Sequence, residues 1–332
     1  VAALGGILTL AIAGAIALRP PPWVTLRIAE PEQPTFAFLY IAEARHFLDD
    51  ERVKLTWVAE GTGRSSLQRL RSGGADLAVA YDFPVVTQAL AGARFAVLAS
   101  MHDSRRNTAI LARRDRGIRI PDDLNHRAIG IVAGTASEYF ASSFLTLHGI
   151  DMSSVEFRDL PAPSLVGELE RGNVDAISTW NPLLWEGEEK LGDRATTFFA
   201  DTYSERSLLV ADRDRAEALR EPILRLLHAL RRAEDFVQHD PAEAQAITSR
   251  RLSLDRRAVA ATWAKTRLDL KLDYLLVALM DQEGAWLRAY YPQRTRTAIP
   301  SFETLLYPEF LRTVDPEAVT VSSLEGGAPR GS

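Results

Sequence analysis

Small and hydroxyl-bearing residues gather where apolar runs give way to helical patterns: Gly61-Thr62-Gly63-Arg64-Ser65, Gly134-Thr135-Ala136-Ser137 and Pro161-Ala162-Pro163-Ser164. A helix opening on such residues leaves its first backbone N–H groups unpaired, and those donors together with the helix dipole bind anions. Thr62, Thr135 and Ser137 can add hydroxyl donors. Each alone could equally cap its own helix, so the convergence of several loops is what points to a ligand. Arg64 falls in a first helical turn, where the dipole disfavours a cation; an anionic ligand would compensate it, and a solvated arginine is the simpler alternative. Asp82 either holds a ligand ammonium or caps the helix that continues through Phe83-Pro84, and the cap is favoured. Tyr81 and Trp180 end apolar runs at matched places and could close over a ligand from two sides.

Constellations for catalysis are missing. His46, His102, His126, His148, His228 and His239 are scattered, with no His-x-x-x-His pair and no Glu/His cluster at metal spacing. Gly61-Thr62-Gly63 lacks the continuation of a dinucleotide or phosphate loop, and no Gly-x-Ser-x-Gly elbow occurs. The lysines Lys54, Lys190, Lys265 and Lys271 fall outside the candidate loops, so a Schiff-base cofactor has no anchor. Without cysteine there is no thiol catalysis, disulfide or thiolate zinc site. The expectation is a binding protein that is not an enzyme and needs neither cofactor nor metal.

The elements that must position these loops are written twice. Leu70 to Pro84 and Leu169 to Pro182 each close a helix with glycine (Gly73, Gly172), then carry an aspartate (Asp76, Asp175), a short apolar strand, an aromatic, a polar residue and a proline. Upstream of the first copy lie an apolar run Val24 to Ala29, a helical pattern Phe36 to Leu48 and an alternating strand Val53 to Glu60. Upstream of the second lie Ala128 to Ala133, Ser137 to His148 and Val155 to Leu160. The order β-α-β-α-β, twice, predicts an α/β protein of two lobes, each a mostly parallel sheet flanked by helices. Ligands of such sheets bind beyond the carboxyl ends of the strands, so the facing loops would line one cleft: Glu30 to Thr35 opposite Gly134 to Ser137, Gly61 to Arg64 opposite Pro161 to Ser164, and Tyr81 to Phe83 opposite Trp180 and Asn181.

The 332 residues suffice for two ordinary domains, with a soluble composition of 46% hydrophobic and 25% charged residues. A net charge of -5 without a concentrated basic face argues against nucleic acid. Val1 to Leu18 carries no charge and reads as a signal-peptide core, with Ala15-Ile16-Ala17 as a small-x-small cleavage site, or as an N-terminal hydrophobic helix anchoring the chain. A Pro-rich spacer, residues 19–23, follows. The expected division is residues 24–104 and 205–320 in lobe one, 105–204 in lobe two and a fraying tail at 321–332. The polar connections Ser104-Arg105-Arg106-Asn107 and Asp201-Thr202-Tyr203-Ser204 are hinge candidates. From Arg213 the pattern is helical, with segments at Leu219 to Leu230, Ala242 to Arg250, Asp255 to Thr266 and Tyr274 to Tyr290 packing on lobe one.

Over roughly Val24 to Asp240 the chain resembles bacterial solute-binding proteins of the nitrate, sulfonate and taurine type, the SsuA/THI5-like group. The likeness rests on Ala42-Glu43-Ala44-Arg45-His46-Phe47; on Gly61 with Leu67, Leu70, Gly73 and Asp76; and on Pro84 after Asp82. It continues through Pro121-Asp122-Asp123-Leu124 leading into Gly130, Gly134-Thr135, and Gly172-Asn173-Val174-Asp175-Ala176 followed by Trp180 and Pro182. The resemblance implies the two-lobe type II periplasmic-binding-protein fold closing on a small anion, delivery to an ABC transporter permease, a monomer, and a location outside the cytoplasm. It places ligand contacts on Thr35, Thr62, Asp82, Thr135 and Trp180. With the facing loops, the candidate ligand-binding set is Gln33, Thr35, Phe36, Gly61, Thr62, Arg64, Tyr81, Asp82, Gly134, Thr135, Ser137, Trp180 and Asn181. Arg64 departs from the pattern, where a small or polar residue is expected. A membrane-anchored sensor or adaptor with the same lobes is the alternative, and an enzyme of the thiamine-pyrimidine or menaquinone type, whose fold is similar, stands behind it.

Overall fold

The computed structural model describes residues 20–299 and 301–321; the N-terminal apolar run and all but the first residue of the tail lie outside the described residues. Among the described residues no helix is long and apolar enough to cross a membrane. The strands are β1 (Val24–Glu30), β2 (Val53–Ala59), β3 (Leu77–Tyr81), β4 (Phe95–Ser104), β5 (Thr108–Arg113), β6 (Ala128–Ile131), β7 (Glu156–Asp159), β8 (Ala176–Trp180), β9 (Ala195–Phe198), β10 (Glu205–Asp212) and β11 (Thr266–Lys271). They form a six-stranded sheet in the order β11-β4-β10-β3-β1-β2 and a five-stranded sheet in the order β7-β6-β8-β5-β9. Helices flank both.

The doubled phrase builds the same corner in each sheet. Gly73 and Gly172 take positive φ values of 75° and 79°, which glycine adopts without a Cβ penalty, and turn the chain out of the helices Gly63–Arg71 and Leu165–Arg171. Asp76 then accepts from Arg27 N at 2.9 Å, and Asp175 from Ala128 N at 3.1 Å, so each aspartate ties the start of its strand to the neighbouring strand. Both strands that follow, β3 and β8, are buried along their whole length, as strands covered on both faces must be.

Four expectations change. The sheets are mixed: β1, β2 and β3, like β6, β7 and β8, pair in parallel, whereas β10 runs antiparallel to β3 and β4, and β5 antiparallel to β8 and β9. The reason is that β5 and β10 enter their sheets from the other lobe, at the cleft end, and so run away from it. The expected helix Phe36 to Leu48 is broken into Ala37–Ala44 and Phe47–Asp50 at His46, whose φ is 60°. The C-terminal part is not wholly helical, because β11 adds an edge strand against β4. Its signal is a two-residue alternation, Leu268, Leu270 and Leu272 between Arg267, Asp269 and Lys271. Lastly, the helix Tyr274–Tyr290 packs on lobe one but also touches lobe two, where Trp286 meets Tyr139 edge-on at 5.2 Å.

Candidate functional site

The carboxyl ends of β1 and β3 face those of β6 and β8, and between them lies an inner chamber of about 10 Å³. Gln33, Thr62, Gly63, Tyr81 and Pro84 line it from one lobe, Thr135, Ala136 and Trp180 from the other. Thr62 also borders a wider outer chamber of about 360 Å³, where Gly61 and Arg64 face Val132 and the stretch Asp159 to Pro163.

Thr62 caps the helix Gly63–Arg71 through a reciprocal box with Ser65, and Thr135 accepts from Ser137 N to cap the helix Ala136–Leu147. Those caps consume the later first-turn amides. The N–H groups of Gly63 and Ala136 precede them, have no acceptor among the described residues, and belong to residues that line the inner chamber. Two side-chain donors join them. Gln33 is 6% exposed, and its Oε1 accepts from Tyr81 OH at 2.6 Å while Nε2 has no partner among the described residues; Trp180, also 6% exposed, leaves its indole N–H free in the same sense. Two helix N-termini and two uncommitted donors on largely buried side chains therefore border one small space, which suits an anionic group.

Of the candidate set, Gln33, Thr62, Tyr81, Thr135 and Trp180 line the inner chamber, and Gly61, Thr62 and Arg64 the outer one. The remainder stand behind these walls. Thr35 Oγ1 lies 2.9 Å from Tyr81 OH, and the fully buried Phe36 ring packs on Tyr81 at 5.9 Å. Ser137 Oγ donates to Ser178 O at 2.7 Å and accepts from Val132 N, so its hydroxyl stitches lobe two together and is not free for a ligand. Asn181 accepts from Trp185 N at 3.3 Å. Gly134 has a φ of 73° and donates to Glu138, and the absence of a Cβ there lets the Arg64 side chain lie across it. Arg64 is exposed and forms no ion pair among the described residues; its Nη1 donates to Ala133 O, 2.6 Å away in the opposite lobe.

Asp82 does not cap its helix. It is the first residue of the helix Asp82–Leu90, after Tyr81, and is fully buried, its carboxyl accepting from Phe83 N and from Arg206 N, both at 2.9 Å. Burial, followed by the neighbouring Glu205, pushes its pKa up to about 8. Glu205, at the start of β10, accepts from Thr108 Oγ1 at 2.7 Å, from Tyr203 OH at 3.2 Å and from Asn107 Nδ2. Burial raises it to about 7 against those bonds. Glu283 is buried with both oxygens unpartnered among the described residues, and burial, then Asp82 and Glu205, raise it as well. The sequence reading named Asp82 and missed Glu205 and Glu283. Glu205 directly follows the hinge candidate that ends at Ser204, and its partner Asn107 ends the other, which is a usable signal; Glu283 sits on an ordinary helical face and has none. His102 lies behind Tyr81, its ring edge-on at 5.4 Å, and burial drives its pKa down to about 3, so it stays neutral. Neither chamber is lined by histidine, lysine or cysteine, and among the described residues no group of acids and histidines could hold a metal ion.

The sequence profile of the family described as NMT1/THI5 like matches residues 33–244. No curated protein matches the sequence. Among solved structures, the chain is similar to the alkanesulfonate-binding protein SsuA from Xanthomonas axonopodis pv. citri bound to MOPS, with a TM-score of 0.73 at 19% identity over 87% of this chain and 100% of that one. It is also similar to the ligand-binding component of an ABC-type import system from Staphylococcus aureus with zinc bound, TM-score 0.71 at 14% identity over 87% and 98%. The desulfurization enzyme DSZB follows at TM-score 0.65 and 17% identity over 88% and 99%. The fold is thus the two-lobe periplasmic-binding-protein fold.

Proposed function

The chain belongs to the NMT1/THI5-like family, and on that premise we propose that it is an extracytoplasmic solute-binding protein that captures a small organic anion between its lobes and passes it to an ABC importer. The observation that carries this reading is the inner chamber, where the free amides of Gly63 and Ala136, Gln33 Nε2 and the Trp180 indole N–H share one wall-to-wall space. Donors without protein acceptors that converge on one confined space are satisfied by an acceptor that arrives with the ligand. The similar structures support the class of role: one is named as an alkanesulfonate binder, another as part of an import system. We take the connections around Arg105 to Asn107 and Asp201 to Ser204 as the hinge about which the lobes open.

Binding without catalysis is part of the proposal. The enzyme among the similar structures shares the fold, and fold alone does not carry activity. The test is a thermal-shift screen of the full chain against sulfonates, carboxylates, nitrate and pyrimidines, because a ligand of the folded state raises Tm. A rise confined to sulfonates or carboxylates is the expected result. No rise with any anion would overturn the capture role and favour the membrane-anchored sensor.

A further inference from the structure

An anionic group in the inner chamber leaves the outer chamber, the larger of the two, without an occupant, although Thr62 borders both. Val132, Leu160, Pro161 and Pro163 make most of the outer wall apolar, and two charged residues, Arg64 and Asp159, stand on it. Their situations differ. Asp159 Oδ1 accepts from Ala133 N at 2.9 Å. Arg64 donates through Nη1 to the carbonyl of the same residue, a neutral partner, and among the described residues it forms no ion pair. Its position in the first turn of the helix Gly63–Arg71 places the cation beside a dipole end of the same sign. The exposed guanidinium thus stands on the wall of a largely apolar chamber that opens from the anion site, held by a neutral carbonyl and by no ion pair among the described residues.

We propose that the outer chamber is a second subsite that receives the ligand's tail, and that Arg64 binds an anionic group at the tail's end. The ligand class is then a bifunctional anion, with one acidic head among the inner donors and a second acidic group a short apolar spacer away, in preference to a monoanion with a plain alkyl tail. This rests on the reading of the cleft as an anion site given above. Arg64 determines specificity in it: the guanidinium exchanges its bond to the Ala133 carbonyl for a charge-assisted one to the ligand. The missing Cβ at Gly134, which would stand 3.0 Å from Arg64 Cδ, gives the arm room to lie along the chamber wall.

The experiment is isothermal titration of the full chain with 3-sulfopropionate and with 1-butanesulfonate, of similar length, repeated for Arg64→Gln and Arg64→Lys. The expected result is at least ten-fold tighter binding of the dianion by the unaltered protein. Arg64→Gln should bring the two ligands within about three-fold, chiefly by weakening the dianion, and Arg64→Lys should keep part of the preference. Equal affinity of the two ligands for the unaltered protein, or a preference that survives Arg64→Gln, would overturn the tail subsite but leave the anion cleft standing. Equal weakening of both ligands by Arg64→Gln would overturn it too, showing that the Ala133 contact only holds the lobes together. If neither sulfonate binds the unaltered protein, this proposal is overturned, and the thermal-shift screen decides separately whether the anion cleft stands.

Discussion

At the cleft edge of the first lobe β3 ends in Tyr81, and at that of the second β8 ends in Trp180; the two rings face the same inner chamber with different commitments. Tyr81 OH donates to Gln33 Oε1 and lies within reach of Thr35 Oγ1 and Asn107 Nδ2, so it belongs to a finished network. The Trp180 indole N–H has no such partner among the described residues. One residue further on, the first lobe buries Asp82 near Glu205 and Glu283, whereas the second places the neutral Asn181. The lobes repeat a scaffold but not its surroundings. Lobe one receives β10 and the helix Tyr274–Tyr290 behind its strand end, and these bring the extra acids. Trp180 is thus the recognition side of the pair and Tyr81 the fixed wall.

The sharpest way to break that contrast is to exchange what each ring offers. Trp180→Ala should weaken binding of the anion by more than ten-fold, since it removes both a donor and a chamber wall. Tyr81→Phe should change affinity by less than about three-fold yet lower stability by roughly 1–2 kcal/mol, because Gln33 Oε1 loses its donor in a buried place. Titration calorimetry and thermal melts on both variants decide it. A Tyr81→Phe variant as damaged in binding as Trp180→Ala would show that the two rings do one job.

The acids behind Tyr81 give the second test. Asp82 at about 8 and Glu205 at about 7 lie above the ordinary carboxyl values of 3.8 and 4.5, so between those limits the folded protein holds protons that the unfolded chain releases. Their contribution is fully present below about pH 4 and is lost as pH rises through the folded values. Tm should therefore fall between pH 5 and pH 8.5, by about 2–4 °C for each kcal/mol lost. His102 stays neutral across this range, and the lowered acids Asp76 and Asp273 stay ionised. Glu283→Gln removes one of the mutually repelling carboxyls and should flatten the slope. A melting profile that stays flat in the unaltered protein, or an unchanged slope in Glu283→Gln, would remove the acids from the account and leave the two lobes electrostatically alike.

What could be read in advance follows the range of the interactions concerned. The glycine turns, the strand-tying aspartates and the capped helix openings are local, fixed by residues a few positions apart, and Leu70 to Pro84 predicts its corner as well as Leu169 to Pro182 does. The mixed pairing of β5 and β10 was not legible, because the direction of those strands depends on where the chain crosses between lobes. Asp82 illustrates the same limit within the site: Asp-Phe-Pro reads as a cap, and only Arg206, far along the chain, shows the carboxyl turned inward. Ser137 likewise reads as a donor for a ligand until Ser178 is placed beside it. Arg64 was conspicuous for its place in a first turn, but the carbonyl it grasps belongs to the other lobe.

The smallest difference between the repeats lies at their glycines. Both residues have positive φ, so an alanine at either should cost about 1 kcal/mol for the left-handed backbone. At Gly73 nothing else stands within 4 Å of the added methyl, whereas at Gly172 the methyl would collide with the Arg116 guanidinium. That guanidinium donates to Gly172 O at 2.9 Å and to Asp175 Oδ1 at 3.2 Å. Displacing it should add up to about 1 kcal/mol, as expected for a partly exposed ion pair. Gly172→Ala should therefore melt below Gly73→Ala, and in an Arg116→Ala background the two substitutions should cost the same, since the collision and the bonds are then both gone. If Gly172→Ala remains the costlier in that background, the excess lies in the backbone of the turn, and the two corners are less alike than their matching dihedral angles make them.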